Sequence, residues 1–316
     1  MNEWDLYCAM NHIDDSSLQR SLKRKLRFMP LRRVTTAAAC LLLILGIGVS
    51  AEASSGAVSN LLAPLFGMAQ TELVEDIGVP VGVSASADGY TITAEAVIGD
   101  NYNIAVVYTL SRDDGQPLPD GLHIDYQKKS LSSSGGGWLG WKKNANDPSK
   151  ISIIESWSLG QPIWGRFWAA SFSNLSSENE NAGKTLLAKG PWELKFTLRY
   201  KDTSRKLPVK KLQVSDTFGN AYQIDQITLS PVGIHMKGYQ FDPEFGGEQI
   251  MIHFHVTVVM KDGTMIPLED HSSGGHFGEN DKKAKVSFRA MFDTPLQLEA
   301  IESLLICGTE YKVDPS

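Results

Sequence analysis

An uninterrupted apolar run constrains this chain more than any other feature of its sequence. Residues 34–51, VTTAAACLLLILGIGVSA, contain no charged side chain. A bilayer core is roughly 30 Å thick and an α-helix rises about 1.5 Å per residue, so about 20 apolar residues are needed to cross it. The run is close to that length, and it predicts a single transmembrane helix.

The charges on the two sides of the run predict its orientation. The basic residues that precede it are Arg20, Lys23, Arg24, Lys25, Arg27, Arg32 and Arg33. The other side opens with Glu52 and contains no Lys or Arg before Arg112. Basic residues stay on the cytoplasmic side of a membrane. We therefore expect a single-pass protein of the cell membrane, with a cytoplasmic N-terminus and an extracellular C-terminal part.

Two other interpretations of the run are open. A buried core helix would need a helical domain around it, and the sequence shows none. A cleaved signal peptide is the stronger alternative, because Val49, Ser50 and Ala51 have the small side chains of a cleavage site. The long basic segment before the run favours a retained anchor, since ordinary signal peptides begin with a much shorter charged region.

Composition and cysteine placement exclude several classes of protein. The 316 residues carry a net charge of -6 with a pI near 5.7, whereas domains that bind nucleic acid are usually basic. In the predicted topology Cys8, Cys40 and Cys307 lie in three different compartments, so no internal disulfide is possible. The chain contains no nucleophile elbow and no phosphate-binding loop. We predict neither an enzyme nor a cofactor.

The cytoplasmic arm, residues 1–33, predicts one amphipathic helix. Ser16 and Gln19 form a capping-box pattern. An apolar stripe follows at four-residue spacing, and its members are Leu18, Leu22 and Leu26. The segment is too small to bury this stripe by itself. The stripe is either a docking site for a cytoplasmic partner or the lipid-facing side of a helix on the membrane surface.

Beyond the membrane the pattern changes to strands, and the predicted fold class is mainly β. Residues 52–72 are expected to form a stalk or a short helix. Residues 73–200 and 212–316 are predicted to form two extracellular β-sandwich domains, joined by the polar segment 201–211 as a linker. Apolar and polar residues alternate from Trp192 to Leu198, as in a sheet with one buried and one solvent-exposed face. The apolar members are Trp192, Leu194, Phe196 and Leu198.

The other expected strands have a clear period of two or a bounding turn. Asp88 and Gly89 predict a hairpin turn before one of them. Their ranges are 90–97, 102–110, 151–159, 167–172, 192–200, 221–229, 232–239, 250–260, 286–292 and 304–313.

Three stretches of this chain resemble a known family. They are Ile13-Asp14-Asp15 before the basic arm, DGYTITAEAVIGDNYNIAVVYTLS at residues 88–111, and ITLSPVGIHMKG at residues 227–238. Together with one anchor and a β-rich exterior, they resemble bacterial membrane proteins that carry the domain of unknown function 4179, found mainly in Gram-positive bacteria. The resemblance implies an anti-sigma-factor-like regulator with a sigma factor bound at the cytoplasmic arm. It also implies an immunoglobulin-like C-terminal domain.

Two groups of exterior residues are candidates for binding. Trp138 and Trp141 lie in the Gly/Ser-rich segment 128–150, which is typical of a mobile loop. They either contact a glycan or protein partner or fold back onto the sheet of a long hairpin. His253 and His255 project from one face of a predicted strand, but a zinc site would require further ligands to converge on them. We therefore predict no metal and expect ordinary surface histidines.

The leading hypothesis from the sequence is a membrane-anchored regulatory or sensory protein whose exterior binds an envelope signal or partner. The alternative is a structural or adhesive envelope protein without a transcriptional role. A metal-dependent surface enzyme that uses His253 and His255 is a third, weaker hypothesis.

Overall fold

The structure is a computed structural model that describes most of the chain beyond the predicted membrane segment. The described residues are 57–67, 71–128, 135–144, 147–160, 162–163, 167–179, 183–216, 218–241, 254–268, 272–276 and 283–313. The predicted transmembrane helix and the arm with Leu18, Leu22 and Leu26 lie outside them, so both stay predictions. Within the described residues, no helix combines the length and apolar character that a membrane crossing requires.

The described chain is mainly β, which confirms the predicted class. Its two helices are α1 (Ala57–Phe66) and α2 (Thr71–Ile77). The strands of the first half are β1 (Val79–Ala87), β2 (Tyr90–Gly99), β3 (Asn103–Arg112), β4 (Leu122–Lys128), β5 (Gly135–Lys143), β6 (Lys150–Leu159), β7 (Phe167–Asn179), β8 (Gly183–Ala188) and β9 (Trp192–Thr197). Those of the second half are β10 (Arg205–Leu207), β11 (Leu212–Ser215), β12 (Ala221–Ser230), β13 (Gly233–Phe241), β14 (Val256–Met260), β15 (Met265–Leu268), β16 (Ser272–His276), β17 (Lys283–Met291), β18 (Ile301–Ile306) and β19 (Thr309–Lys312).

The strands of the first half form two sheets around one core. Sheet A has the order β1-β2-β3-β6-β5, and sheet B has the order β4-β7-β8 with β9 also paired to β7. All of these pairings are antiparallel. Buried side chains from both sheets share one cluster, in which Trp168, Trp192 and Phe172 are the largest fully buried groups besides Tyr108. We call this half the first lobe.

The strands of the second half repeat this arrangement around a separate core. Sheet C has the order β10-β12-β13-β17-β16, with β11 also paired to β12, and sheet D has the order β15-β14-β18-β19. The core between them contains Tyr222, Phe254 and Phe288, whose rings meet edge to face. Aromatic pairs prefer this geometry because the positive ring edge faces the negative ring face. We call this half the second lobe.

A third apolar cluster joins the helices to both lobes. Val58, Leu62 and Phe66 of α1 are buried against the outer face of sheet A, where Ile98 and Val107 are also buried. Val232 and Met291 of the second lobe complete the cluster. Glu75 of α2 accepts a hydrogen bond from the backbone N–H of Ser59 at 2.7 Å, which fastens the two helices to each other. Residues 57–66 are therefore a packed helix within the region expected to be a stalk.

Alternation and turn chemistry predicted many strands correctly. β9 buries Trp192, Leu194 and Phe196 and exposes the residues between them. The turn between β1 and β2 is at Asp88 and Gly89, which have φ values of 52° and 78°. Glycine and aspartate tolerate this left-handed region better than most residues, so the pair suits a tight hairpin.

The structure differs from the expectations at several places. Of the strand expected at residues 250–260, the described part begins only at Val256, and the strand expected at 192–200 ends at Thr197. The range 304–313, expected as one strand, is the hairpin β18–β19, and its turn is at Cys307 and Gly308 with φ values of 48° and 78°. The Gly/Ser-rich segment 128–150, expected as a mobile loop or as part of a long hairpin, contains the strand β5. This strand pairs with β6 over its whole length, in agreement with the hairpin. Glycine lacks a side chain that would show the period of a strand, so the pattern of β5 was hidden.

The segment between the lobes, residues 201–211, is tied down along its length. Lys201 forms an ion pair with Asp76 at 2.8 Å. Asp202 accepts hydrogen bonds from Asn101 and, at 2.9 Å, from the backbone N–H of Ser204. β10 then pairs with β12. The segment predicted as a linker therefore begins with fixed contacts and continues as a strand of sheet C.

The buried position of α1 gives a direct test of its role. Leu62 of α1 is fully buried, whereas its neighbour Leu61 is only partly buried. We expect Leu62→Ala to lower the free energy of unfolding by about 2–5 kcal/mol, because it removes buried methyl groups and leaves a cavity. Urea unfolding followed by tryptophan fluorescence would measure this loss, with Leu61→Ala as the matched control. Equal losses for the two variants would contradict the packing of α1 described above.

Candidate functional site

The structure separates the two tryptophans that the sequence placed in one binding segment. Trp138 and Trp141 both lie on β5, an edge strand of sheet A, with 45% and 36% of their surfaces exposed. Successive side chains of a strand point to opposite faces, so residues three apart lie on opposite sides of the sheet. Trp138 therefore lies on the outer face of sheet A and Trp141 on the face toward sheet B. They cannot form one continuous aromatic surface.

Two glycines of β5 allow tryptophan rings to lie flat against the strand. The Cα of Gly137 lies against the indole of Trp157 on β6, and the Cα of Gly140 lies beneath the indole of Trp138. A Cβ at either position would collide with the ring. The glycine-rich composition of β5 thus has a packing reason, since it gives the neighbouring rings room to approach the backbone.

A buried carboxylate lies behind this edge strand. Glu155 of β6 is only 1% exposed and is directly opposite Leu139 of β5. Its Oε2 accepts a hydrogen bond from the hydroxyl of Tyr108 at 2.6 Å. Its Oε1 accepts hydrogen bonds from the indole Nε1 of Trp157 at 2.7 Å and from the hydroxyl of Tyr126. A buried charge of this kind is tolerated only when such donors replace water.

The carboxylate fixes the aromatic groups around it. Trp168 extends the network by donating its indole N–H to the hydroxyl of Tyr108 at 3.0 Å. Burial raises the pKa of Tyr108 and of Tyr126, and the nearby negative charge of Glu155 raises both pKa values further. Both phenols therefore stay protonated at neutral pH and act as hydrogen-bond donors to the carboxylate.

Part of this network reaches the open side of the first lobe. Tyr126 on β4 and Trp157 on β6 are half-buried, and Leu139 and Trp141 lie along the same side on β5. Because β4 and β5 are the free edges of sheets B and A, these four side chains border the gap between the sheets; we call them the rim. An ion pair between Lys143 of β5 and Asp120 joins the two edges there.

The rim has the chemistry of a ligand site for neutral, ring-shaped groups. Half-exposed aromatic side chains offer flat apolar surfaces, and their polar tips offer hydrogen bonds. The Glu155 network holds Tyr126 and Trp157 in place, so little side-chain freedom is lost when a ligand packs against them. Such preorganisation is typical of binding sites.

The structure describes only one of the two candidate histidines, so their proximity stays untested. His255 is exposed and immediately precedes β14, while His253 lies outside the described residues. Among the residues that the structure describes, no group of three or more His, Cys, Asp or Glu side chains is arranged to hold a metal ion.

A second buried carboxylate lies where the two lobes meet. Asp100, in the turn between β2 and β3, is 4% exposed. Its Oδ1 accepts hydrogen bonds from the backbone N–H groups of Tyr102 and Asn103, both at 2.7 Å. Its Oδ2 accepts from the Asn103 amide at 2.9 Å and from the hydroxyl of Ser230 in the second lobe. Burial raises the pKa of Asp100, and these four hydrogen bonds counter that rise.

A buried histidine lies on the other side of this junction. His235 of β13 is 2% exposed, and its ring is 3.8 Å, centroid to centroid, from the ring of Tyr102. Neither of its ring nitrogens has a hydrogen-bond partner among the described residues. Burial, together with the positive charges of Lys237 and Arg289, lowers the pKa of His235 to about 3. The ring is therefore neutral at physiological pH.

Comparisons with known proteins add little to this geometry. No protein-family model matches the chain, and no curated protein matches it either. A solved structure, that of the conserved domain protein from Bacillus anthracis, is similar with a TM-score of 0.47 and 16% sequence identity. The similarity covers 72% of this chain and 76% of that chain. At this level it assigns neither a family nor a ligand.

Reasoning from the sequence missed the groups that organise both sites. Glu155 had a detectable signal, because it is a charged residue within the apolar run ISIIESWSL. A charge at such a position is retained only when partners satisfy it. Those partners, Tyr108 and Tyr126, are 47 and 29 residues away in the chain, so local patterns could not show them.

His235 predicts a measurable dependence of stability on acid. Its folded pKa of about 3 is below its ordinary value of 6.5, so the unfolded chain binds more protons between these pH values. The contribution of His235 is therefore fully present above about pH 6.5 and is lost as the pH falls toward about 3. Between pH 7 and pH 4.5 the loss should be about 2 kcal/mol.

Urea unfolding of the wild type and of His235→Phe at both pH values would measure this contribution. The phenyl ring keeps the contact with Tyr102 but cannot be protonated, so the variant should lose less stability than the wild type on acidification. Other titrating groups are common to both proteins and cancel in the comparison. An identical pH dependence of the two proteins would show that His235 is not held neutral.

Proposed function

We propose that this chain is a membrane-anchored sensory protein whose extracellular β body binds an envelope ligand at the rim of the first lobe. The observation that carries this proposal is the Glu155 network, which fixes Tyr126 and Trp157 at an open edge of the lobe. A purely structural sandwich needs no buried carboxylate there, since apolar residues of similar volume would stabilise the core at least as well. The arrangement is instead suited to holding binding groups in position.

The chemistry of the rim favours a saccharide ligand. Tyr126, Trp157 and Trp141 offer ring faces and hydrogen bonds. The four rim side chains are uncharged, and the nearby cation Lys143 is paired with Asp120. Sugar rings present apolar C–H faces and many hydroxyl groups, which match both features. Peptidoglycan glycan strands are the saccharides that an extracellular body on a bacterial surface would meet.

The regulatory part of the proposal rests on the cytoplasmic arm. The predicted helix with Leu18, Leu22 and Leu26 has an apolar stripe that requires a partner or a lipid surface. The resemblance to anti-sigma-factor-like membrane proteins supports a sigma factor as that partner. In this proposal, ligand binding outside alters the engagement of the sigma factor inside.

The finer description of the fold belongs to the same proposal. We infer that each lobe is a β-sandwich and that the second lobe is immunoglobulin-like. The pairing of sheets C and D around one core supports this inference. Domains of this kind commonly serve as extracellular binding modules, although the architecture is shared by many functions.

The opposite orientations of the two tryptophans on β5 provide a test with a matched control. We expect Trp141→Ala to weaken binding of the full-length protein to purified insoluble peptidoglycan by about tenfold, equivalent to ~1.4 kcal/mol. Trp138→Ala removes the same side chain from the same strand on the other face, and it should leave binding unchanged. Sedimentation of the detergent-solubilised protein with peptidoglycan measures both effects. Binding that is lost only with Trp138→Ala would contradict a site at the rim.

A second test addresses the arm. We expect the tagged full-length protein to retain a sigma factor from its own cells and to lose it in the double variant Leu18→Asp and Leu22→Asp, because two charges interrupt the apolar stripe. Ser17→Asp and Ser21→Asp add the same charges on another side of the predicted helix and should not affect retention. Quantitative mass spectrometry of the co-purified proteins measures the result. A wild-type protein that retains no sigma factor would refute the regulatory role.

A further inference from the structure

The outward side of sheet C carries a row of cationic side chains on β13 and β17. Asp225 of the neighbouring strand β12 is exposed on the same side, where it accepts a hydrogen bond from the amide of Gln223. Lys237 on β13 and Lys283 and Lys285 on β17 point away from the core, because Met236, Val286 and the other alternate residues are buried in it. Neither β13 nor β17 contains an Asp or Glu. In the part of the chain that the structure describes, none of the three lysines forms an ion pair with a carboxylate.

Aromatic rings lie beneath these lysines. The Nζ of Lys283 is 4.7 Å from the ring centroid of Phe241 and 6.0 Å from that of Tyr239. The Nζ of Lys237 is 5.3 Å from the ring centroid of Tyr102 in the first lobe. Cation–π attraction at these distances restrains the ammonium groups. We call Lys237, Tyr239, Phe241, Lys283 and Lys285 the basic face.

The register of the strands sets the spacing of the charges. Lys283 and Lys285 are two residues apart on β17, which places them about 7 Å apart. Lys237 is paired with Ser287, the next outward residue along β17, so it follows Lys285 at about 8 Å on the neighbouring strand. The three cations thus form a nearly even row along the sheet. The chain as a whole has a net charge of -6, so this row is a local exception.

We propose that the basic face binds a linear phosphodiester polymer that lies along sheet C. A row of positive charges at regular intervals is complementary to a polymer that carries one negative charge in each repeat. Lysine ammonium groups bind phosphate as point charges, without the bidentate geometry of arginine.

The openness of the face explains why a polymer fits better than a single anion. Lys283 and Lys285 are exposed, and no enclosing group on β13 or β17 converges with them. One exposed ion pair contributes little to affinity. Several phosphates on one chain bind together at high effective concentration and overcome this weakness.

Lysine ammonium groups lie over the aromatic rings of this surface, which argues against a nucleic acid as the polymer. Single-stranded nucleic acids gain much of their affinity by stacking bases on exposed aromatic faces. On the basic face the ring faces of Tyr239 and Phe241 are occupied by Lys283, and that of Tyr102 by Lys237 and His235. The face therefore offers charge without stacking, which suits a polymer that has a phosphodiester backbone and no bases.

Binding of fluorescently labelled poly(glycerol phosphate) to the full-length protein in neutral detergent would test the proposal. We expect the triple variant Lys237→Gln, Lys283→Gln and Lys285→Gln to bind about tenfold more weakly or worse. The magnitude of the slope of log affinity against log salt concentration should be smaller by about 2 in the triple variant. Each lysine–phosphate contact on a single-stranded polymer contributes about 0.7 to that slope, and three contacts are lost. The basic N-terminal arm is the same in both proteins, so its contribution cancels.

The matched control neutralises exposed lysines elsewhere. The triple variant Lys184→Gln, Lys189→Gln and Lys195→Gln changes the net charge equally but leaves the basic face intact, and its affinity should remain within about twofold of the wild type. Replacing Lys237, Lys283 and Lys285 by arginine should retain binding. Equal losses in the two glutamine variants would refute the proposal. Tighter binding of a single-stranded oligonucleotide with the same number of phosphates would also refute it.

Discussion

The arrangement of the two lobes depends on the hydrogen bonds that the buried carboxylate of Asp100 accepts. Burial of a carboxylate is costly, and here donors from its own turn and from Ser230 of the second lobe replace the lost water. The same turn places the ring of Tyr102 on His235 and the amide of Asn103 beside Gly233. Once the lobes are joined in this way, α1 can pack against both, because Val232 and Met291 then border the outer face of sheet A.

The chain thus uses two buried carboxylates for different purposes. Asp100 is satisfied by backbone and side-chain groups of its own turn and by one side chain from the other lobe, so it specifies how the two lobes meet. Glu155 accepts hydrogen bonds from the side chains of Tyr108, Tyr126 and Trp157, so it fixes the positions of these aromatic groups. Neither carboxylate is needed for apolar packing. Each is better explained as a determinant of geometry.

The sequence predicted the elements well where side chains report on their environment. The alternation of Trp192, Leu194 and Phe196 and the turn at Asp88 and Gly89 depend on local rules, and the structure confirms both. It predicted β5 poorly, because a strand rich in glycine has no alternating pattern and owes its place to the rings of its neighbours. The rim was not predictable, since it unites groups from β4, β5 and β6 whose proximity follows only from the sheet order. The sequence indicates Trp138 and Trp141 together as candidates, and only the structure shows that they lie on opposite faces of β5.

The fastened connection between the lobes has a mechanical consequence. Proteins that respond to a ligand by hinge closure need a few residues that are free to absorb changes in φ and ψ. Here Lys201, Asp202 and Ser204 are held by Asp76, by Asn101 and by one another, and the chain then enters β10 without slack. The two lobes consequently have no flexible joint in this segment. Any closure of one lobe onto the other at this segment would first have to break these contacts.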